Sequence, residues 1–200
     1  MPNTYTQLYI QIVFAVQNRA ALIHEPIREE IQKYLTGIVK NNQHKMLAVF
    51  CMPDHAHVFV GLNPNQSISS LANDLKSNSS RWINSEKLCR YHFNWQNGYG
   101  AFSYHKGMLS TICNYINTQK EHHQRRSFKD EYLDLLHEFD VDFNEQYLFE
   151  FFEWDNLDTN KFQNCRGLNI SPRWGYRHFA PMELGFFRAY CSTGIALLWS

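Results

Sequence analysis

Residues 45–62, KMLAVFCMPDHAHVFVGL, contain two apolar runs separated by Pro53 and Asp54. Each run has the length and composition of a strand, so the segment predicts two consecutive strands joined by a short connection. Because side chains alternate between the two faces of a strand, His55 and His57 share one face. Two imidazoles in a run that could be wholly apolar either bind satisfied partners in a core or converge on a common ligand.

The pattern of apolar residues on either side predicts five further elements: strands at residues 5–16 and 101–104, and helices at residues 25–42, 67–87 and 108–126. Ser67 is the predicted N-cap of the second helix. The order βαββαβα begins with the split βαβ pattern of an α+β, ferredoxin-like fold, an antiparallel sheet with two helices on one face, and adds a third helix. The first and third strands are central in that topology, which places the histidine pair in the middle of the sheet.

Composition limits the class of protein. The 200 residues suit one medium domain with or without an appendage, and 44% hydrophobic residues are enough for a core. We find no run of about 18 apolar residues and no pattern of a secretory leader, so we expect a protein without a membrane partner. Five cysteines without CxxC spacing favour reduced thiols in the cytoplasm over disulfides or a zinc site.

The net charge of zero conceals an uneven distribution. Residues 1–126 contain 13 Lys and Arg against 7 Asp and Glu, a balance of +6, whereas residues 127–200 contain 6 against 12, a balance of −6. A basic body with an acidic C-terminal part is typical of a nucleic-acid-binding protein. Two solvated faces of opposite charge would give the same counts.

Four residues could carry chemistry. His55 and His57, at i and i+2 of a strand, place their ring nitrogens close enough to bind one metal ion. Tyr115 and Gln119 are four apart in the third predicted helix and so share a face; the phenol can act as a nucleophile and the amide oxygen can complete a metal site. The alternative is that the histidines are structural, Tyr115 is a core aromatic residue and Gln119 is a surface residue.

Four segments occur in order along the chain: MPDHAHVFVGL, ANDLKSNSSRWIN, WQNGYGAFSYH and YINTQKEHH. Together they closely resemble the single-tyrosine transposases of insertion sequences, the IS200-like group of the HUH nuclease superfamily, which is named for its His–hydrophobic–His motif. The resemblance extends over residues 3–153, which we take as one transposase domain. Residues 154–200 match no part of the family pattern, and we expect them to form a peripheral or poorly ordered extension.

The resemblance implies a site and an activity. His55, His57 and Gln119 match the family's metal ligands, for Mg²⁺ or Mn²⁺, and Tyr115 matches its nucleophile. The implied reaction cleaves and rejoins single-stranded DNA through a 5′-phosphotyrosine bond and a free 3′-OH, while the cation orients the scissile phosphate. The implied partners are single-stranded DNA with hairpin ends and a second copy of the chain in a homodimer. Exchange of one phosphodiester for another needs no nucleotide cofactor, and we find no P-loop.

The sequence defines the DNA-binding surface less sharply. The candidate phosphate contacts are basic residues of the body: Lys76, Arg81, Lys106, Arg125 and Arg126. Aromatic residues that could stack on bases, or could belong to the core, are Trp95, Tyr99, Phe102 and Tyr104. His122 and His123 could contact phosphate or lie on the surface, and His123, four residues beyond Gln119, is a weak substitute for it as a ligand.

Three alternatives to a transposase stay open at this point. They are a domesticated HUH nuclease acting on chromosomal repeat hairpins, a non-catalytic nucleic-acid-binding module, and a metal-dependent hydrolase that uses water. RNA-recognition modules with the same sheet carry aromatic residues on the central strands, where this chain carries His55 and His57, which argues against the binding module.

Overall fold

The computed structural model describes residues 5–17 and 22–151. Within these residues, four strands form one antiparallel sheet: β1 (Tyr9–Ala15), β2 (Lys45–Cys51), β3 (His55–Gly61) and β4 (Gly100–Tyr104). Five α-helices accompany them: α1 (Glu25–Asn41), α2 (Ile68–Ser85), α3 (Leu109–Asn117), α4 (Gln119–His122) and α5 (Phe128–Glu138). The strand order is β2-β3-β1-β4, which confirms the α+β class and the central position of the first and third strands.

Helices α1 and α2 pack on one face of the sheet, as predicted. The alternate side chains of the central strands that form this core are Ile10, Ile12, Phe14, Ala56, Val58 and Val60. Against them lie apolar residues of the two helices, including Ile31, Leu35, Leu71 and Leu75. The Ser67 hydroxyl accepts a hydrogen bond from the Ser70 backbone amide at 3.1 Å, which confirms the predicted N-cap of α2.

Helices α3 and α5 cover the opposite face, to which the other side chains of β1 and β3 point. Ile112 and Ile116 of α3 pack on Phe59, and Tyr132 of α5 packs near Phe102 of β4. The close approach of α5 depends on Gly100, because a Cβ atom there would lie 2.8 Å from the Tyr132 ring. The face that carries both histidines is therefore enclosed by helices of the same chain.

The single helix predicted for residues 108–126 is wrong, because the structure breaks it at Thr118. This residue has φ −101° and ψ 19° and separates α3 from the one-turn α4. Its hydroxyl donates a hydrogen bond to the Asn114 carbonyl at 2.9 Å, a contact that bends helices. The Thr118 carbonyl in turn accepts from the backbone amides of Glu121 and His122, which starts the new turn.

Two of the aromatic residues considered for base stacking belong to the core. Trp95 is 6% exposed, donates its indole N–H to Ser79, and packs edge-on against Phe14. Phe102 is 2% exposed. Both residues therefore follow the core interpretation that the sequence left open.

The last described residues are tied to the sheet by one amide side chain. Gln96 donates from Nε2 to the carbonyls of Val16 and Glu150, and its Oε1 accepts from the Glu150 amide.

Cys51, Cys89 and Cys113 are free thiols. None of the described helices is long and apolar enough to cross a bilayer. The predicted extension at 154–200 lies outside the described residues.

Candidate metal centre and tyrosine site

Strand β3 supplies two buried histidines. The side chains of His55 and His57 are 1% and 0% exposed, and their ring centroids are 5.0 Å apart. In the β1–β3 register they lie opposite Ala15 and Val13, on the face that α3 and α5 cover. The Phe128 ring stacks on the His55 ring, with centroids 3.9 Å apart and planes 5° from parallel. The shared face predicted for this pair is confirmed.

Glu131 of α5 contacts residues of α3 and α4 as well as the two histidines of β3. Its carboxylate is buried, and Oε1 accepts hydrogen bonds from the Tyr115 hydroxyl and, at 2.8 Å, from Gln119 Nε2. The Tyr115 ring lies 6.3 Å from the His57 ring, between centroids. The four residues singled out from the sequence therefore meet around one buried carboxylate, within a single chain.

The other oxygen of Glu131 faces three imidazoles. Oε2 lies 2.9 Å from Nε2 of His123, 3.5 Å from Nε2 of His57 and 3.8 Å from Nε2 of His55. These four atoms all lie within 4.8 Å of one another, and all four residues are buried. Among the described residues, none of these atoms has a hydrogen-bond partner of good geometry, and the same is true of Gln119 Oε1. Buried polar atoms in this condition are costly unless an ion binds them, so the donor set fits a metal cation.

Each histidine is held through its other ring nitrogen. Nδ1 of His55 contacts the Asp54 carboxylate at 2.8 Å, and Nδ1 of His123 contacts the Arg126 carbonyl at 2.9 Å. Nδ1 of His57 lies 2.8 Å from Nε2 of Gln11, an amide nitrogen that donates to it. Acceptors at Nδ1, as on His55 and His123, fix the tautomer of metal-binding histidines and leave Nε2 to the ion.

The charges around the site perturb each titrating group. Burial lowers the pKa of His55 to about 4, although Asp54 opposes the shift. Burial also favours the neutral forms of Glu131 and His123. Contacts with His57 and His123 nevertheless hold the pKa of Glu131 well below its ordinary value, and the contact with Glu131 raises the pKa of His123. Burial and the charge of Glu131 raise the pKa of Tyr115, so its phenol keeps its proton in the metal-free site.

The family model described as "Transposase IS200 like" matches residues 4–119, more than half of the chain. The chain belongs to the IS200-like transposase family. No protein among those with curated descriptions matches it significantly. Among solved structures, the chain is similar to a protein of Deinococcus radiodurans R1 that was assigned as a transposase, with 19% identity and a TM-score of 0.49 over 60% of this chain and 95% of the other. It is also similar to a REP-associated tyrosine transposase bound to a REP hairpin, with 12% identity and a TM-score of 0.44 over 62% and 73%.

Two residues of the buried cluster, His123 and Glu131, lie beyond the segment that the family model matches, which ends at Gln119. The sequence pointed to His123 only as a weak substitute ligand, and it did not point to Glu131. A signal for Glu131 was present, because it lies three residues after Phe128 and four before Leu135, on the apolar stripe of α5. An acid on the buried stripe of a helix requires a partner.

The basic residues predicted to contact DNA in this family member lie in three parts of the chain: on α2, just before α3, and between α4 and α5. Lys76 donates to the Gly98 carbonyl at 2.7 Å, and Arg126 pairs with Asp134 of α5. Arg81, Lys106 and Arg125 are exposed. Contact of these five residues with DNA stays a prediction.

Proposed function

We propose that the chain is a transposase that cleaves and rejoins single-stranded DNA through a covalent bond to Tyr115. The observation that carries this proposal is the position of the Tyr115 hydroxyl, hydrogen-bonded to Glu131 inside the buried histidine cluster of an IS200-like protein. The sheet order β2-β3-β1-β4 with α1 and α2 on one face is that of the ferredoxin-like topology, which we propose for the domain at residues 3–153.

In the proposed reaction, the Tyr115 oxygen attacks the scissile phosphorus, the Tyr115–phosphate bond forms, and the bond to the 3′ oxygen breaks. Tyr115 loses its proton, and the departing 3′ oxygen gains one. Rejoining reverses these steps with a 3′-OH as the attacking group. We propose that His55, His57 and Gln119 bind the divalent cation, Mg²⁺ or Mn²⁺, and the unpaired Gln119 Oε1 supports its place among the ligands. When bound, the cation offsets the negative charge that develops on the phosphate oxygens.

A labelled single strand tests the reaction. DNA that carries a hairpin and its flanking sequence, labelled at its 3′ end, is incubated with the full chain and Mn²⁺ or Mg²⁺. A 5′-phosphotyrosine bond leaves the label attached to the protein, so we expect a shifted band on a denaturing gel. Tyr115→Phe removes only the attacking oxygen and should abolish this band while hairpin binding persists. Tyr147→Phe is the matched control, because Tyr147 is 81% exposed and its loss should change nothing.

Other outcomes of this assay would contradict the proposal in different ways. Cleavage without an attached label would indicate hydrolysis by water. Binding without cleavage in the presence of metal would indicate a non-catalytic module. An adduct that survives Tyr115→Phe would place the nucleophile on another residue.

The histidines give a second prediction for the same assay. His57→Ala removes a nitrogen donor from the centre of the site, so we expect adduct formation to fall to background while the chain stays folded by circular dichroism. Wild-type turnover of this variant in Mg²⁺ would restore the interpretation of His57 as a structural residue. We further propose a homodimer, for which β2 at one edge of the sheet offers a pairing surface; sedimentation equilibrium measures it.

A further inference from the structure

The donor atoms of this site differ in chemistry from those that Mg²⁺ usually takes in proteins. We propose that in the DNA-free chain the site selects a first-row transition-metal ion over Mg²⁺, so that Mn²⁺ is preferred of the two ions proposed above. His123 and Glu131 join His55 and His57 as ligands, and Gln119 donates to Glu131. This inference rests on the proposed function only in assuming that the buried cluster binds a divalent cation. It names the class of ion and adds two ligands from outside the segment that the family model matches.

The spacing of the four donors fits direct coordination of one ion. In a tetrahedral site with bonds near 2.1 Å, neighbouring ligand atoms lie about 3.4 Å apart. The distances from Glu131 Oε2 to the three Nε2 atoms are 2.9, 3.5 and 3.8 Å, on both sides of that value. These three separations bracket the value for a shared ion, and all four donor atoms lie within 4.8 Å of one another.

The donor types decide the class of ion. Three imidazole nitrogens and one carboxylate oxygen suit Zn²⁺, Co²⁺ or Fe²⁺, whereas Mg²⁺ prefers oxygen ligands and retains several water molecules. The four residues are between 0% and 3% exposed, so there is little room for a hydrated ion. Along the transition series we expect the affinity to rise from Mn²⁺ to Co²⁺, in the usual order for nitrogen-containing sites.

The hydrogen bonds to Nδ1 prepare the three histidines for such an ion. Asp54 and the Arg126 carbonyl can each accept from a protonated Nδ1, which leaves the lone pair on Nε2. As placed, Gln11 Nε2 faces Nδ1 of His57 and Gln11 Oε1 accepts from the Tyr104 hydroxyl. A half-turn of the amide puts its oxygen at Nδ1 of His57 and its nitrogen at the Tyr104 hydroxyl, which gives His57 the same tautomer as the other two histidines. The amide of Gln11 can thus serve either tautomer of His57 without moving from its place.

Calorimetric titration of the metal-free, untagged full chain at pH 7.5 tests the inference without DNA. With Co²⁺, Zn²⁺, Mn²⁺ and Mg²⁺ as separate titrants, we expect one site per chain and a Co²⁺ affinity at least about 100-fold above that of Mg²⁺. The visible absorption of bound Co²⁺ reports whether nitrogen ligands surround it. Equal affinity for Mg²⁺ and Co²⁺, or a Co²⁺ spectrum of the fully hydrated ion, would overturn the inference.

Two variants test the added ligands. His123→Ala and Glu131→Gln should each weaken Co²⁺ binding by about tenfold or more. His122→Ala is the matched control, since His122 is the neighbouring imidazole but lies outside the four-donor group, and it should bind Co²⁺ like the parent. If Glu131→Gln fails to fold, His123→Ala decides alone; unchanged Co²⁺ affinity in His123→Ala refutes its role as a ligand. Metal binding is measured without DNA, so a parent chain that binds Co²⁺ but forms no DNA adduct contradicts the proposed reaction and leaves this inference standing.

Discussion

Acidification of the metal-free protein should destabilise it through His55. This side chain is 1% exposed, and burial lowers its pKa to about 4, against 6.5 in the unfolded chain. A histidine whose folded pKa is depressed contributes stability above the unfolded pKa, and this stability is lost as the pH falls towards the folded pKa. At pH 5 the loss is about 2 kcal/mol, and below pH 4 it reaches about 3 kcal/mol, from 1.36 kcal/mol for each unit of pKa.

The assay is urea denaturation at pH 7.5, 6 and 5 in the presence of a chelator, with the parent and His55→Gln. The comparison removes the contributions of two other groups. His123, with a raised pKa, contributes stability below pH 6.5 that is lost as the pH rises, and Glu131, with a lowered pKa, contributes stability that is lost only below its ordinary value of 4.5. We expect His55→Gln to lose about 2 kcal/mol less than the parent between pH 7.5 and 5. Equal losses in the two proteins would refute the assignment of a low pKa to His55.

Three further predictions concern the frame and the surface. Gly100→Ala should lower the free energy of unfolding in urea by about 1–3 kcal/mol, because its Cβ would overlap the Tyr132 ring of α5. Gly37→Ala, with open space around it in α1, should raise that free energy by about 0.5–1 kcal/mol, and a change of the same sign in both variants would contradict the packing described. Gln96→Ala should increase hydrogen exchange at the Glu150 amide, which it now bonds, and unchanged exchange would show that other contacts hold this segment. Arg125→Ala should weaken hairpin binding and reduce the salt dependence of log K by about one, and a slope that stays the same would remove Arg125 from the phosphate contacts.

Most of the strands, helices and sheet order could be predicted, because alternation, capping and element order depend on residues close together in the sequence. Strand alternation placed His55 and His57 on one face, the serine at position 67 capped α2, and the βαββαβ order gave the strand order of the sheet. The helix over residues 108–126 failed for a reason that periodicity does not show. Whether a helix continues through Thr118 depends on where its hydroxyl bonds, and here it bonds back to Asn114.

The site was predicted only as far as its own motif extends. Strand alternation put His55 and His57 on one face, whereas the helical spacing assumed for Tyr115 and Gln119 is interrupted at Thr118. The resemblance to the family, and not spacing alone, singled out all four residues. Glu131 was missed although it lies on the apolar stripe of α5, because the acidic segment around it is typical of a solvated face. Its role depends on the docking of α5, which rests on long-range contacts such as that between Tyr132 and Gly100.

Glu131 of α5 and the histidines of β3 stabilise each other as buried polar groups. A carboxylate enclosed at 2% exposure is unstable without positive or hydrogen-bonding partners, and Glu131 obtains them from His123, Tyr115 and Gln119. The Nε2 atoms of His55 and His57 are equally enclosed, and Glu131 is the anion that faces them. The carboxylate therefore links Tyr115, the histidines proposed to bind metal and the packing of α5. The segment that the family model matches supplies Tyr115 and the Gln119 amide, and α5, which follows it, supplies the carboxylate that bonds both of them.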